Sequence, residues 1–360
     1  MVMKMIEIRK INAHEFENAI EFANYQFGLD FKKTQPKLYG YYGAGEHYAC
    51  FDQGQIVGLL SAYPLVSMSI KVLSVGTVCV AEGFRGRGIM GELFDFASRK
   101  LFPEYELVVL IGSRERYEHF GFYKTGKKIV FTIKRQSKTS YPFEIKEMTE
   151  STGIDPVLQM YNGGIQREKD RFFDILRSQC SRVYLIGLDG KQSYIVFNES
   201  KNAVFEIYGE IETGMVLQCF MAHKGLLSME LYASIDCDKK LFSLMDRYAI
   251  STLCNMKMMD YKGTINTLLK KVKNKSDGRL KLAVDGTLSV NITVSAGNVD
   301  VRISEDLEEA DMSLSEKELY LLLFDDYFLM AYDENLLKSQ LIHSWFPLPL
   351  WNTLTTLDGI

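Results

Sequence analysis

The residues Arg85-Gly86-Arg87-Gly88-Ile89-Met90-Gly91 are of the types that hold a phosphate. Glycines let the backbone approach an anion closely, and arginines add positive charge. The run follows an apolar, β-type stretch, Val75-Gly76-Thr77-Val78-Cys79-Val80, and opens a helical stretch from Ile89 to Phe102. A helix start leaves its first backbone N–H groups unpaired. Its dipole places partial positive charge at the same point. Strand, Gly/Arg turn and helix N-terminus together predict an anion cradle, with a pyrophosphate as the natural guest. Such a cluster alone would also suit an ordinary basic turn ahead of a surface helix, so its surroundings decide between the two.

Those surroundings are an apolar run, Leu107-Val108-Val109-Leu110-Ile111, and then Tyr117-Glu118-His119-Phe120-Gly121-Phe122. The layout resembles the GNAT N-acetyltransferase family, in which the loop Arg/Gln-x-x-Gly-x-Gly/Ala is followed by a strand and a Tyr-x-x-x-Gly-Phe segment. Arg85 and Gly88 match the loop, while Met90 stands where most members carry Gly or Ala. The resemblance implies an acetyl-CoA site contacted by Val78, Cys79, Val80, Arg85, Gly86, Arg87, Gly88, Ile89, Met90 and Gly91. In the family, backbone groups of the strand residues hold the pantetheine arm and the thioester carbonyl.

Acetyl transfer from a thioester to an amine needs alignment of donor and nucleophile. It also needs donors for the developing oxyanion and a proton for the leaving thiolate. Tyr117 is the candidate general acid, because a phenol is protonated at neutral pH and the resemblance puts the family's catalytic tyrosine there. The preceding Ser113-Arg114-Glu115-Arg116 departs from a Glu-Gly-Gly pattern associated with the family. His119, beside Tyr117, is either a proton shuttle or a solvent-facing residue.

The elements that must position these residues read as mixed α/β. Up to about Arg135, a strand at Met5–Lys10 and a helix at His14–Phe27 precede strands at Tyr48–Phe51, Ile56–Tyr63 and Val66–Val80, the last with a break near Lys71. After the loop and its helix come strands Leu107–Ile111 and Lys128–Lys134. Gln136–Pro142 reads as a polar linker. A second α/β pattern follows, partly helical over Met160–Ser178. Its strands fall at Arg182–Leu188, Ser193–Phe197, Ala203–Tyr208 and Ser228–Ala233, and it has no Arg-x-x-Gly loop. Lys270–Lys275 is a charge run that fits a solvated helix end better than an anion site. From Gly278 the pattern is an antiparallel meander over Arg279–Val284, Leu288–Val294 and Asn298–Ile303, with helices at Ser315–Leu323 and Glu334–Leu341.

This order resembles, end to end, the enhanced intracellular survival (Eis) family. Its members carry two tandem GNAT-like mixed-sheet domains and a sterol-carrier-protein-like sheet-and-helix domain. The resemblance sets domains at 1–136, 141–265 and 266–360. A bulky residue at the Met90 position is common in that family, and Asp260-Tyr261 and the short apolar C-terminus also look like it. The family's chain-end carboxylate takes the amine proton, a role that falls here on Ile360, although family chains end in an aromatic residue. A frayed terminus is the alternative, in which case a water relays the proton. The implied activity is acetyl-CoA-dependent N-acetylation of a primary amine on an aminoglycoside-like molecule, a polyamine or a lysine. The alternative, from another class, is a non-catalytic acyl-CoA or lipid-binding sensor. Family members assemble into hexamers, so a homo-oligomer is expected. Trp345, Phe346 and Trp351 suit an interface or a core equally well.

Composition excludes less. Hydrophobic residues make up 47% of the 360 and charged residues 24%, as in globular proteins. A net charge of -4 argues against non-specific nucleic-acid binding. No signal-like or membrane-length apolar segment is present, so no membrane partner is expected. Six cysteines without a C-x-x-C pair suggest reduced, buried thiols and a cytoplasmic protein. His14, His47, His119, His223 and His343 show no metal-ligand spacing, so no metal is expected. Neither a Gly-x-Ser-x-Gly elbow nor a Walker loop occurs.

Overall fold

Alternating apolar residues and the tight reversal at Gln53-Gly54, both with positive φ (52° and 78°), fold the first strands into antiparallel pairs. A computed structural model describes residues 6–112, 115–136, 142–150, 153–233, 239–325, 339–349 and 357–359. The first stretch contains β1 (Glu7–Lys10), α1 (Phe16–Phe27), α2 (Phe31–Thr34), α3 (Pro36–Tyr39), β2 (Glu46–Asp52), β3 (Gln55–Ser67), β4 (Ile70–Val80), α4 (Ile89–Lys100), β5 (Leu107–Leu110) and β6 (Tyr123–Lys134). The next contains β7 (Glu144–Met148), α5 (Asp155–Met160), β8 (Ile165–Gln166), α6 (Lys169–Leu176), β9 (Arg182–Leu188), β10 (Lys191–Asn198), β11 (Ala203–Gly209), α7 (Thr213–Lys224), β12 (Ser228–Ala233) and β13 (Met245–Met258). The last contains α8 (Tyr261–Lys271), β14 (Gly278–Val284), β15 (Leu288–Ser295), β16 (Asn298–Ser304), β17 (Met312–Leu314), α9 (Glu316–Phe324) and α10 (Ser339–Trp345). The architecture is mixed α/β, with one large mixed sheet and one small one. The linker expected at Gln136–Pro142 and the N-terminal part of the helix expected at Glu334–Leu341 lie largely outside the described residues.

Among the described residues the large sheet has 13 strands, ordered β1-β2-β3-β4-β5-β13-β6-β12-β11-β10-β9-β7, with β8 on β3. Its two halves are built alike. In one, β4 and β5 run parallel from Val72↔Leu107 to Val75↔Leu110. In the other, β11 and β12 run parallel at Ala203↔Glu230 and Val204↔Leu231. Each half is completed by a strand from the other stretch of sequence. β13 lies beside β5, and β6 lies beside β12. The two exchanged strands pair with each other at the centre of the sheet. β13 was missed in the sequence because residues 246–252 are exposed on both faces and show no alternation.

The break between β3 and β4 falls at Met68 and Ser69, both with positive φ, rather than near Lys71. The first half of the sheet is covered on both faces. Phe16, Ala19, Ile20 and Ala23 of α1 sit on one side, in a core shared with β14–β17, α8 and α9. Ile89, Leu93, Phe94 and Ala97 of α4 cover the other. The 3- and 4-residue spacing of these positions makes one apolar stripe. Burial of each large side chain contributes about 1.5–3 kcal/mol. Trp345 and Phe346 belong to the first of these cores. The Trp345 indole donates to the Ser276 carbonyl at 2.8 Å. Trp351 lies outside the described residues.

The small sheet is ordered β16-β15-β14-β17. Its first three strands are the antiparallel meander read from the sequence. Asp260 caps α8, accepting from the Gly263 N–H at 2.9 Å. The Lys270 and Lys271 side chains fall in the last turn of α8, where cations favour the dipole.

Candidate functional site

The site begins with a backbone defect. Between β3 and β4 the register shifts, so that Thr77 and Val78 oppose Leu60 alone. Thr77 takes φ 48° there. A bulge of this kind bends its strand and re-aims the residues beyond it. β4 therefore parts from β5 after Val75, and beyond the bulge Cys79 and Val80 stay paired with β3 alone, opposite Leu59 and Gly58. The gap continues into the Gly/Arg turn and the N-terminus of α4.

Gly86 and Gly88 have φ of 77° and 81°, a region that costs other L-residues about 1–2 kcal/mol. Gly88 is the N-cap of α4, and no side chain caps the helix. The first helical bond is Glu92 N–H to Gly88 C=O at 3.1 Å. The N–H groups of Ile89, Met90 and Gly91 thus have no acceptor within the helix. α4 is held close to the sheet at Gly58, where a Cβ would stand 2.8 Å from Ile89 Cγ2 and 3.1 Å from Leu93 Cδ1.

These parts enclose a cleft of about 510 Å³. Val78, Cys79, Val80, Arg85, Gly86, Gly88, Ile89, Met90 and Gly91 line it, joined by Gln26, Phe27, Phe84 and Arg116. Arg85 donates from Nε to the Val80 carbonyl at 3.3 Å and from its terminal nitrogen to Gln26 Oε1 at 3.4 Å. Arg87 differs from the other expected residues. It is absent from the lining, and its guanidinium stacks over the Phe84 ring at 4.7 Å. Burial pushes the Cys79 thiol up to about 12, so it stays protonated at neutral pH.

Tyr117 lies on a short 3-10 turn, Glu115–Phe120, after β5. It is 7% exposed and shares a core with Val78, Ile89, Phe94 and Phe122. Its neighbour Arg116 reaches the cleft. His119 is exposed on the same turn. Of the segment preceding Tyr117, Ser113 and Arg114 lie outside the described residues.

Ile360 also lies outside the described residues, but Leu357–Gly359 are placed. Lys37 donates to the carbonyls of Leu357 and, at 2.7 Å, Gly359. Arg167 donates from two nitrogens to Asp358 at 2.9 and 2.7 Å, and from two to Glu206 at 2.9 and 2.7 Å. Tyr194 donates to Glu206 at 2.6 Å. The paired carboxylates hold the Arg167 guanidinium charged despite its burial. Burial lowers the Lys37 amine to about 7. Arg167 and Lys37 escaped sequence reading because their partners are distant in the chain and no local spacing marks them.

The second half repeats the layout without the cradle. β11 runs past its last pairing with β12 into Gly209-Glu210-Ile211-Glu212, ahead of α7. Acidic residues stand where the first half has arginines. The cysteine expectation needs one correction. Cys50, Cys79, Cys219 and Cys254 are buried, but Cys180 is exposed. It ends a 3-10 turn at the surface and takes φ 60°. Cys237 lies outside the described residues. Among those described, no group of three or more His, Cys, Asp or Glu could hold a metal. No described helix is long and apolar enough to cross a membrane.

Known proteins share this fold. No curated protein matches the chain at a significant level. Three solved structures share the fold over nearly the whole length. A GCN5-related N-acetyltransferase from Kribbella flavida aligns with a TM-score of 0.68 at 12% identity, over 95% of this chain and 97% of that one. A GCN5-related N-acetyltransferase from Anabaena variabilis aligns at 0.66 and 15%, over 95% and 96%. Eis1 from Mycobacterium abscessus aligns at 0.61 and 14%, over 99% of each. The family described as Acetyltransferase (GNAT) domain matches residues 7–125, the stretch that contains the bulged strand, the glycine turn, α4 and Tyr117. Residues 7–125 are a GNAT acetyltransferase domain, which makes this chain an acyltransferase.

Proposed function

We propose that the chain transfers the acetyl group of acetyl-CoA to a primary amine by direct attack. The observation that carries this reading is the continuity of the cleft, from the strand residues that leave β5 to the uncapped start of α4. A thioester arm fits beside Val78–Val80, where backbone groups meet its carbonyl. The pyrophosphate lies on Gly86, Gly88, Ile89, Met90 and Gly91, with Arg85 beside it and Arg87 at the rim. The amine nitrogen attacks the thioester carbon, the oxygen becomes an oxyanion, and the C–S bond then breaks. Tyr117 gives its proton to the departing sulfur. The ammonium proton leaves to the chain-end carboxylate of Ile360 or to a water. The protonated state of Cys79 supports direct transfer over a cysteine-bound intermediate.

The acceptor class is an aminoglycoside-like molecule, a polyamine or a lysine. The same reading divides the chain into units at 1–136, 141–265 and 266–360, the last sterol-carrier-protein-like. It places the enzyme in the cytoplasm as a homo-oligomer. Tyr117→Phe tests the reading. Turnover should fall by about 100-fold or more while acetyl-CoA binding persists. Undiminished turnover would remove Tyr117 from the mechanism.

A further inference from the structure

The turn that carries Tyr117 crosses from β5 to β6 over β13, which pairs with both. Side chains on one face of a strand alternate with those on the other. Cys254, Met256 and Met258 of β13 enter the core on the α1 side. Asn255 and Lys257 therefore face the crossing turn. Asn255 is 3% exposed. Its Nδ2 donates to the Gly112 carbonyl at 2.6 Å and to the Leu110 carbonyl at 3.4 Å. Lys257 Nζ donates to the Phe120 carbonyl at 2.8 Å. One side chain thus holds the chain just before the turn, and the other holds its last residue.

The contact passes directly to the phenol. A Cβ on Gly112 would stand 3.3 Å from Tyr117 Cε2 and 3.8 Å from its hydroxyl oxygen. The peptide that Asn255 grips is therefore a wall of the space holding the Tyr117 ring. Both grips come from a strand that follows the whole second half of the large sheet in sequence, so the first half cannot supply them from its own residues.

We propose that Asn255 and Lys257 are positioning residues that set the place of the Tyr117 hydroxyl for proton donation. The inference rests on the reading of Tyr117 as the proton donor. A general acid displaced by about 1 Å loses on the order of 100-fold in rate, so small shifts of the turn are enough.

The test uses the full-length enzyme with acetyl-CoA and an accepted amine. Asn255→Leu removes both donated bonds at similar volume, and Lys257→Met removes the donor but keeps most of the stem. Each should lower kcat by about 10- to 100-fold and leave the KM for acetyl-CoA within about twofold, since neither residue lines the cleft. In a Tyr117→Phe background the same substitutions should lower kcat no further. Equal losses with and without the tyrosine hydroxyl would overturn the proposal, as would wild-type kcat in folded variants. If Asn255→Leu does not fold, Lys257→Met carries the comparison, because its side chain is only half-buried. Loss of activity in Tyr117→Phe with additive effects at Asn255 and Lys257 rejects the clamp alone. No loss in Tyr117→Phe itself rejects the underlying reading.

Discussion

Arg167 and Asp358 form an ion pair at 2.7 Å across 191 positions of sequence, with side-chain exposures of 0% and 1%. Glu206, 2% exposed, holds the adjacent edge of the same guanidinium at 2.7 Å, and the two carboxylates share its Nη2. Residues 357–359 are thereby fixed against β11 and, through Lys37, against α3. A buried charge left without its partner costs about 3–5 kcal/mol. Arg167→Met strands two carboxylates and should lower stability by about that amount, as measured by urea denaturation. Asp358→Asn leaves Glu206 in place and should cost less. Equal costs for the two variants would show that Arg167 does not depend on its two partners in this way.

Lys37 gives the fold a pH dependence of defined sign. Its amine falls from 10.5 to about 7 on folding because it is fully buried. Between those values the unfolded chain holds the proton and the folded chain releases it, so this group makes stability rise with pH across that window. Below about pH 7 both states are protonated and its contribution is flat. Lys37→Met should remove the rise. The check is the difference in urea midpoint between wild type and variant at each end of the window. A difference that does not change with pH would contradict the assignment.

The cradle makes a separate prediction about acetyl-CoA affinity. Gly88→Ala places a Cβ residue at φ 81° and should cost about 1–2 kcal/mol of helix-start geometry. Calorimetric affinity for acetyl-CoA should fall roughly tenfold. Arg85→Ala should weaken binding several-fold. Arg87→Ala should weaken it less, because that guanidinium stacks on Phe84 outside the lining.

The thiols should respond unequally. Cys180 is exposed and should react with a soluble thiol reagent in the native protein. Cys79, held protonated and 8% exposed, should resist it. Cys79→Ala should keep most of the turnover. Abolished turnover in a folded Cys79→Ala variant would revive a covalent cysteine route.

Local patterns explain what the sequence revealed. The strand, glycine turn and helix around Arg85–Gly91 carry their signals within a few neighbouring residues, and so does the meander of β14–β16. β13 carries no such signal, since its first half is solvated on both faces. α7 buries Val216, Leu217, Gln218, Cys219, Phe220 and Met221 in succession, so it shows no helical stripe. The pairing of β6 with β13, the Arg167–Asp358 pair and the Asn255 grip all join residues more than a hundred positions apart. Asn255 and Arg167 acquire their roles only when the sheet assembles, and no spacing in the chain announces them.

The most direct test of the account is CoA release, followed with a thiol reagent. Purified protein is given acetyl-CoA and a panel of aminoglycosides, spermidine and lysine peptides. Release should depend on the amine, with the acetylated amine formed in equal amount. Acetyl-CoA binding without release in the presence of any of these amines would contradict it.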